Sequence, residues 1–223
     1  MSTKNVLYNF ETIDNEEKAY WLGFLYADGS IGSNESKIEL GLAEKDLHQI
    51  EKFRDFIGLS NKISYRANTK SYRFSFRCDN MKQDLINKGC VPNKSLILKF
   101  PTYKQVPKNL MRHFIRGYFD GDGWFTNTSE CFQVGLIGTE DFIKGFLNEI
   151  DNINKENKIF DVHRENGAKR YIISGLQDCY NFLSYIYDNS IIYLDRKYNH
   201  YKDFLVNGSH YHKTNNMPII KEI

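Results

Sequence analysis

The chain carries the stretch YWLGFLYADG at residues 20–29 and a related stretch, FIRGYFDGDG, at residues 114–123. The copies lie 94 residues apart, counted from Asp28 to Asp122, and both have glycine at their fourth position and Asp-Gly at their end. The same offset aligns IELGL at residues 38–42 with FQVGL at residues 132–136. Self-similarity at a fixed spacing indicates a duplicated structural unit. The sequence therefore predicts two copies of one unit.

Hydrophobic periodicity predicts the same order of elements in both copies. In the first copy we expect helices and hairpins over residues 16–27, 30–42, 46–57, 62–78 and 81–88. In the second copy the elements are expected at residues 109–121, 124–137, 140–151, 159–174 and 176–187, with a further helix at 195–206. The fold class is therefore α+β, with two pseudo-symmetric αββαββα units built on antiparallel sheets. We place the units at residues 1–107, including a proline-containing linker, and 108–206, followed by a polar tail at 207–223.

Composition favours a folded, intracellular protein. Hydrophobic residues make up 41% of the 223 residues and aromatic residues 15%, more than a disordered chain contains. No apolar run approaches about 18 residues, and the first residues lack the apolar core of a signal peptide, so we expect no membrane span and no targeting signal. The four cysteines form no CxxC pair, which favours reduced core thiols over a zinc site or a disulfide framework. They are Cys78, Cys90, Cys131 and Cys179.

Each motif places a carboxylate where a helix ends. Asp28 follows Ala27 and precedes a helix-ending glycine, and Asp122 follows Gly121 in the same setting. The C-terminus of a helix carries partial negative charge and unpaired carbonyls, so a carboxylate there needs a balancing cation. Mg²⁺ prefers carboxylate, carbonyl and water oxygens. If the two helices pack side by side through their motif glycines, these four residues form a paired Mg²⁺ site suited to phosphodiester cleavage.

Both stretches resemble the LAGLIDADG motif of the LAGLIDADG homing endonucleases. The second copy is the closer match, because it keeps the glycine, both acidic positions and the terminal Asp-Gly. The first copy departs at Tyr26, where the motif has its first aspartate, a position that we expect to be less critical chemically. The resemblance covers most of residues 10–206. It implies a single-chain, pseudo-dimeric endonuclease whose motif helices meet at the centre and whose sheets form a DNA-binding saddle.

The resemblance also implies roles for individual residues. The acids that end the motifs, Asp28 and Asp122, would bind Mg²⁺, with Mn²⁺ as a substitute, and the metal would activate a hydrolytic water. A family lysine near the scissile phosphate matches Lys94 in the first unit and Lys197 in the second, where Arg196 is the competing candidate. These assignments predict two acids and two lysines as catalytic residues.

The family often places a polar or basic residue just after the strand that follows the motif. In this chain those places hold Glu44 and His48 in the first unit and Gly138 in the second. This departure leaves the pocket that supports the acids undefined.

The second hairpin of the first unit is predicted to have one basic face and one apolar face. Residues 62–77 contain five basic side chains and no acidic one. A two-stranded ribbon of this kind suits the major groove of duplex DNA, where arginine reads guanine and basic groups bind phosphates. The predicted DNA-binding residues of this hairpin are Lys62, Ser64, Arg66, Lys70, Arg73, Ser75 and Arg77. The corresponding hairpin of the second unit offers Lys158, His163, Arg164, Lys169 and Arg170.

These features predict a monomeric, site-specific homing endonuclease that makes a double-strand break at a long asymmetric site in duplex DNA by Mg²⁺-dependent hydrolysis. An intron maturase on the same fold, which would bind intron RNA, is one alternative. A catalytically inactive DNA-binding regulator is another. We expect a free-standing protein connected with intron mobility and without a membrane partner.

Overall fold

The structure of the protein is a computed structural model that describes residues 9–127, 132–153, 158–161 and 168–212. Two predicted DNA-binding residues, His163 and Arg164, lie outside these ranges, as does Cys131. Lys158 lies on a described strand, but its side chain lies outside the description. The remaining three cysteines are buried and have free thiols.

The first unit has the expected order of helix, hairpin, helix, hairpin and helix. Its elements are α1 (Glu16–Asp28), β1 (Gly29–Ile31), β2 (Lys37–Ala43), α2 (Leu47–Phe56), β3 (Ser64–Arg66), β4 (Ser71–Arg77) and α3 (Asp79–Asn87). The four strands form an antiparallel sheet in the order β1-β2-β4-β3. We call it the first sheet.

The second unit repeats this order. Its elements are α4 (Met111–Asp122), β5 (Gly123–Asn127), β6 (Phe132–Thr139), α5 (Glu140–Ile150), β7 (Lys158–Asp161), β8 (Ala168–Ser174), α6 (Leu176–Tyr187) and α7 (Asp195–His212). The second sheet is also antiparallel, in the order β5-β6-β8-β7. The predicted α+β fold class with two pseudo-symmetric units is confirmed.

The motif helices α1 and α4 form the centre of the molecule. A Cβ atom at Gly23 would collide with the carbonyl oxygen of Phe114, and one at Gly117 would collide with the carbonyl oxygen of Tyr20. The two helix backbones are therefore in direct contact, which side chains at these positions would prevent. Both helices also carry large apolar side chains that are almost fully buried around this contact.

A buried ion pair joins the two motif helices near the start of α1. The guanidinium of Arg116 is fully buried, and its Nη2 donates to Glu16 Oε1 at 2.6 Å. The same guanidinium donates to the carbonyls of Ile186 at 2.7 Å and Ile192 at 2.8 Å. Because a buried charge needs a partner and filled hydrogen bonds, this network fixes α4, α1 and the chain after α6 together.

In each unit, the chain that follows the last helix of the repeat crosses to the other unit. After α3, Phe100 packs against Phe142 of α5 with 5.4 Å between ring centroids, and the Tyr103 hydroxyl donates to Glu149 at 2.8 Å. After α6, Asp195 pairs with Lys52 of α2 at 2.5 Å. Each connection thus contacts the second helix of the other unit.

The last helix runs further than the sequence indicated. It extends to His212, whereas we expected a polar tail from residue 207. Its early turns are anchored by buried Tyr201 and Phe204, and extending an anchored helix costs little because each added residue gains a hydrogen bond. Among the described residues, no helix is both long and apolar enough to cross a membrane.

Candidate active site

The two motif acids lie beside each other where the motif helices end. Gly121 of α4 packs against Ala27 of α1, and a Cβ atom built at Gly121 would lie only 2.9 Å from Asp28 Oδ2. Asp28 is partly buried and Asp122 is exposed. The close backbone contact between the helices therefore brings Asp28 next to the second motif, as the repeated sequence predicted.

Burial and like charge make the carboxylate form of Asp28 unfavourable. The pKa of Asp28 is raised to about 6, mainly by desolvation and then by the charge of Asp122, while Lys197 and Lys94 act in the opposite direction. A carboxyl whose pKa is raised by a neighbouring carboxylate is a group that a bound cation would stabilise in its charged form. The raised pKa of Asp28 is thus consistent with a cation site between the two acids.

Lys197 reaches the end of α4 from the start of α7. Its ammonium donates to the carbonyls of Phe119 and Gly123, both at 2.5 Å, and lies 3.5 Å from the carbonyl of Gly121. The pKa of Lys197 is lowered to about 8, mainly by burial and in part by Arg196, while Asp120 acts in the opposite direction. Of the two candidates, the structure brings Lys197 to the acids.

Arg196 binds a different acid, Asp46. Its Nε donates to Asp46 Oδ1 at 2.8 Å, and Asp46 is 7% exposed at the start of α2. This contact gives Arg196 a structural partner in the other unit. Asp46 directly precedes α2, but its side chain does not cap the helix.

Lys94 occupies the corresponding place in the first unit. It lies in a short 3₁₀ turn after α3, and its ammonium donates to the carbonyl of Gly29, where α1 ends. Lys94 also lines a cavity of about 280 Å³ together with Asp122. Each unit therefore places one lysine at the end of its motif helix, but Lys94 is only partly buried whereas Lys197 is almost fully buried.

The donor set at the helix ends fits a hard divalent cation. It consists of the carboxylates of Asp28 and Asp122 and of the backbone carbonyls of Ala27 and Gly121, all of which are oxygen ligands. Within the described ranges there is no cluster of three or more His, Cys, Asp and Glu side chains that could hold a metal ion. Water and phosphate oxygens would complete the coordination of such a cation.

Sequence reasoning missed the importance of the residue two places before each acid. Asp120 is 1% exposed and accepts hydrogen bonds from the hydroxyl of Tyr187 at 2.5 Å and the amide of Leu194 at 2.7 Å. At the matching position, the hydroxyl of Tyr26 donates to the carbonyl of Lys88. Both side chains bind the chain segment that carries the lysine of their unit. In the sequence, the only indication of this role was that one copy has tyrosine and the other has aspartate at this position.

Comparisons with known proteins agree with this geometry. Residues 109–187 match the family model of the LAGLIDADG-like domain. The chain has the LAGLIDADG fold. The I-LtrWI LAGLIDADG homing endonuclease bound to target DNA superposes with a TM-score of 0.61 at 14% identity, over 90% of this chain and 92% of that one. The LAGLIDADG meganuclease I-AabMI bound to uncleaved DNA has a TM-score of 0.61 at 13% identity, over 90% and 92% of the two chains. The predicted resemblance is confirmed.

A curated relative matches over a small part of its length. The probable translation initiation factor IF-2 of Methanocaldococcus jannaschii is 26% identical over 182 residues, which cover 75% of this chain. The chain spans 15% of the length of that protein. We therefore infer nothing about the activity of this chain from that relative.

The first sheet has the predicted division into a polar face and an apolar face. Along β4, Arg73 and Arg77 are exposed while Phe74 and Phe76 are buried, and Ser64 and Arg66 of β3 are exposed as well. Lys62 and Lys70 are exposed beside these strands, and Ser75 is partly buried on the arginine face.

The predicted positive strip on the first sheet is wrong in one respect. Arg73 pairs with Glu39 of β2 at 2.6 Å, and Arg77 pairs with Glu35 at 2.5 Å. Lys37 also pairs with Glu39, at 2.8 Å. The count of charges along residues 62–77 missed Glu35 and Glu39, because these acids lie outside that range, on β2 and in the turn before it. The face therefore mixes charges, and Glu39 holds two cations in defined positions.

The second sheet presents a different surface. Arg170 of β8 is exposed, as a DNA-binding residue should be. The prediction for Lys169 is wrong, because adjacent strand residues point to opposite faces and Lys169 lies 3.9 Å from Glu140 of α5 on the other side. The indole of Trp124 covers Gly135 on the face that Arg170 shares. Among the described side chains, this face therefore carries fewer charges than that of the first sheet.

The supporting positions also differ between the units. Glu44 lies in the short turn after β2, and His48 pairs with Glu51 at 2.9 Å. Gly138 lines the cavity beside Lys94 and Asp122, where a Cβ atom would lie 3.2 Å from the Tyr118 hydroxyl. A longer side chain at Gly138 would therefore fill part of the space next to Asp122.

Proposed function

We propose that this protein is a site-specific DNA endonuclease that makes a double-strand break at a long asymmetric duplex site by Mg²⁺-dependent phosphodiester hydrolysis. The observation that carries the proposal is the juxtaposition of Asp28 and Asp122 at the ends of two helices in backbone contact, with one lysine at each helix end. Two carboxylates placed this way suit the coupled cleavage of two strands. The LAGLIDADG fold on which they lie supports the same reading.

The residues of the chain divide the reaction between them. Asp28 and Asp122, with the carbonyls of Ala27 and Gly121, would hold Mg²⁺. When bound, Mg²⁺ lowers the pKa of a water and stabilises the charge on the leaving oxygen. Lys94 and Lys197 each add a positive charge beside the acids, where a phosphodiester carries negative charge. The acids thus supply the metal site and the lysines supply electrostatic stabilisation.

The two sheets provide the recognition of the duplex. Each sheet is joined directly to its motif helix, because β1 and β5 follow α1 and α4 without a loop. Phosphate contacts would set the register, and contacts to base edges in the major groove would select the sequence. Because the two faces carry different side chains, the preferred site is expected to be asymmetric. Both units lie in one chain, so a monomer suffices.

Named structures of similar proteins support DNA as the substrate. I-SmaMI has been described bound to an uncleaved DNA target in the presence of calcium ions, and this chain superposes on it with a TM-score of 0.60 at 13% identity. I-SmaMI has also been described bound to cleaved DNA. We carry DNA cleavage and divalent-metal dependence over to this chain as part of the proposal.

The test is cleavage of a randomised duplex library by the purified protein, with Mg²⁺ and with EDTA, followed by sequencing of the cut ends. We expect metal-dependent cuts at one long, imperfectly symmetric site. Asp122→Asn should lower the cleavage rate roughly 10³-fold, because it removes several kcal/mol of metal-dependent stabilisation, and it should retain duplex binding. Asp55→Asn, at an exposed carboxylate on α2, is the matched control and should cut normally.

Other results would redirect the proposal. Duplex binding without cleavage in Mg²⁺ or Mn²⁺ would point to a DNA-binding regulator. Tight binding of structured intron RNA, without cleavage of DNA, would point to a maturase. Full activity of Asp122→Asn would reject the acid pair as the metal site.

A further inference from the structure

Both units use the residue two places before the motif acid to bind the segment that carries their lysine, but they use opposite chemistry. In the first unit the Tyr26 hydroxyl donates to a carbonyl, that of Lys88. In the second unit the Asp120 carboxylate accepts from an amide, that of Leu194. The two contacts occur at matching places in the repeat. They connect the motif helix to the chain that follows α3 or α6.

In the part of the chain that the structure describes, Asp120 accepts three hydrogen bonds. Its Oδ1 accepts from Tyr187 at 2.5 Å, and its Oδ2 accepts from Tyr20 at 2.8 Å and from the Leu194 amide at 2.7 Å. The Tyr20 hydroxyl itself accepts from Gln49 Nε2 at 2.7 Å, so its proton is directed to Asp120. A carboxylate has the acceptor positions for all three donors, whereas an amide has one oxygen and would turn an NH₂ group towards a donor.

The contacts of Asp120 and Lys197 form a closed ring. Asp120 binds the amide of Leu194, and the carbonyl of Leu194 accepts from the amide of Lys197 at 3.0 Å as α7 begins. The ammonium of Lys197 then returns to α4 and binds the carbonyl of Phe119, the residue before Asp120. The position of the lysine therefore depends on a hydrogen bond that a side chain of the motif makes to the start of α7.

The first unit lacks such a ring. Tyr26 binds the carbonyl of Lys88, next to Gly89, whose φ of +95° lets the chain turn there. Lys94 lies six residues after this contact, and its ammonium binds the carbonyl of Gly29. Its link to the motif side chain is longer, and its ammonium is less enclosed. Tyr26 therefore offers a matched comparison for Asp120.

We propose that Asp120 is the positioning residue of Lys197: its contact with the Leu194 amide holds the start of α7 so that the lysine ammonium stays at the end of α4. The role of Lys197 in cleavage rests on the proposed function, but the positioning itself is a property of the protein without metal or DNA. It can be measured separately.

The first experiment measures how fast each lysine reacts with an amine-modifying reagent, using the full chain and mass spectrometry of its peptides. In the unaltered protein, Lys197 should react slowly because it is 7% exposed. Asp120→Asn should raise the labelling rate of Lys197 about tenfold, since a hydrogen bond to a charged group is lost. Lys94 should keep its rate. Lys18, which is 9% exposed near the start of α1, reports unfolding of the whole chain.

Tyr187→Phe keeps the experiment decisive if Asp120→Asn unfolds. It removes one of the three donors and retains the ring, so we expect about a threefold rise in labelling at Lys197 alone. Tyr26→Phe should leave Lys197 unchanged. The proposal is overturned if Lys197 labelling stays at its original rate in folded Asp120→Asn or Tyr187→Phe, or if Lys18 always rises together with Lys197.

The second experiment connects the positioning with cleavage. On a supercoiled plasmid that contains the target site, Asp120→Asn should slow the cutting of one strand and accumulate nicked circles. Tyr26→Phe should bias nicking towards the opposite strand. Equal slowing of both strands would overturn a role through Lys197. If labelling responds as expected but the unaltered protein never cuts DNA, the positioning stands and the proposed function fails.

Discussion

The outer faces of the two sheets share one strand order but differ in chemistry. Counted from the glycine that ends each motif, Arg73 of the first sheet corresponds to Arg170 of the second, and Glu39 corresponds to Gly135. The first sheet thus pairs its arginine with Glu39, whereas the second has a glycine in the place of that acid. The comparison teaches that the duplicated backbone fixes where side chains stand, while the choice of side chain is independent in each unit.

The contact between the two motif helices is much more alike in the two units than the sheet faces are. Both motif helices keep a glycine at the backbone contact and an acid at the end. These positions are constrained because a change in one unit collides with the other. The predictions below separate what the units share from what distinguishes them.

The largest effect is expected from breaking the contact that both units share. Gly117→Ala places a methyl group on the carbonyl oxygen of Tyr20, a backbone atom that cannot move aside without separating α1 from α4. We expect a loss of about 3 kcal/mol in the free energy of unfolding, at the upper end for overpacking. Urea denaturation would measure it. Gly41→Ala is the control, because its Cβ atom would meet the Arg73 side chain at an ordinary 3.5 Å.

The next effect concerns the pH dependence of stability without metal. The pKa of Asp28 is about 6 in the folded protein, above its ordinary 3.8, so the folded state binds more protons between these values and loses stability as pH rises through 6. Asp28→Asn removes this loss. We expect the variant to be more stable than the unaltered protein by about 2 kcal/mol at pH 8 and by little at pH 3.5.

Lys197 produces the opposite slope at higher pH. Its pKa is about 8 in the folded protein and 10.5 ordinarily, so stability is lost as pH falls through 8. The combined penalty of the two groups is greatest between pH 6 and 8. Thermal melts at several pH values would show it, and Asp203→Asn, at an exposed carboxylate on α7, should show none of the effect of Asp28→Asn. A gain from Asp28→Asn that is equal at every pH would contradict the assignment.

A smaller effect should distinguish the two sheets. Arg73→Ala is expected to weaken binding of the preferred duplex by about 1–2 kcal/mol and to relax the preference at one base pair, because a guanidinium held by Glu39 is lost. Ile172→Ala, on the corresponding face of the second sheet, should change affinity less and should leave its salt dependence unaltered. Competition binding with single base-pair variants would measure both. Equal effects of the two substitutions would mean that the difference between the faces carries no recognition.

The smallest effect is expected at the crossing after α6. Asp195→Asn removes the exposed ion pair with Lys52 and should cost less than about 1 kcal/mol of stability. The cost should disappear at high salt, because the charges are screened. Urea denaturation at low and at high salt would measure it. A larger cost that persists in salt would show that this pair, and not the buried network around Arg116, fixes the crossing.

Much of the fold followed from the repeat, and the reasons are local. Gly23, Gly117 and the acids at the helix ends are visible in the sequence because each motif carries its own cap and its own glycine. The hairpins followed from alternation within each strand. Only the ends of elements shifted, as at α7, where the buried Tyr201 and Phe204 sustain a helix past Val206.

The polar partners of the site were harder to predict, because they depend on distant segments. Arg196 and Lys197 are neighbours in sequence, and only the approach of α7 to α4 shows that one binds Asp46 and the other the end of the motif helix. Glu39 neutralises Arg73 from another strand. Lys169 is a different case, since strand alternation alone would have placed it opposite Arg170.

The backbone contact between α1 and α4 bears on how the proposed activity would evolve. Asp28 and Asp122 cannot move apart unless the helices separate, so the stagger between the two cuts would be set by main-chain geometry. The side chains on the outer faces of the sheets are not constrained in this way and can change during evolution. A lineage of such proteins could acquire a new recognition sequence and still leave DNA ends of the same form, so that target choice and end structure would be inherited separately.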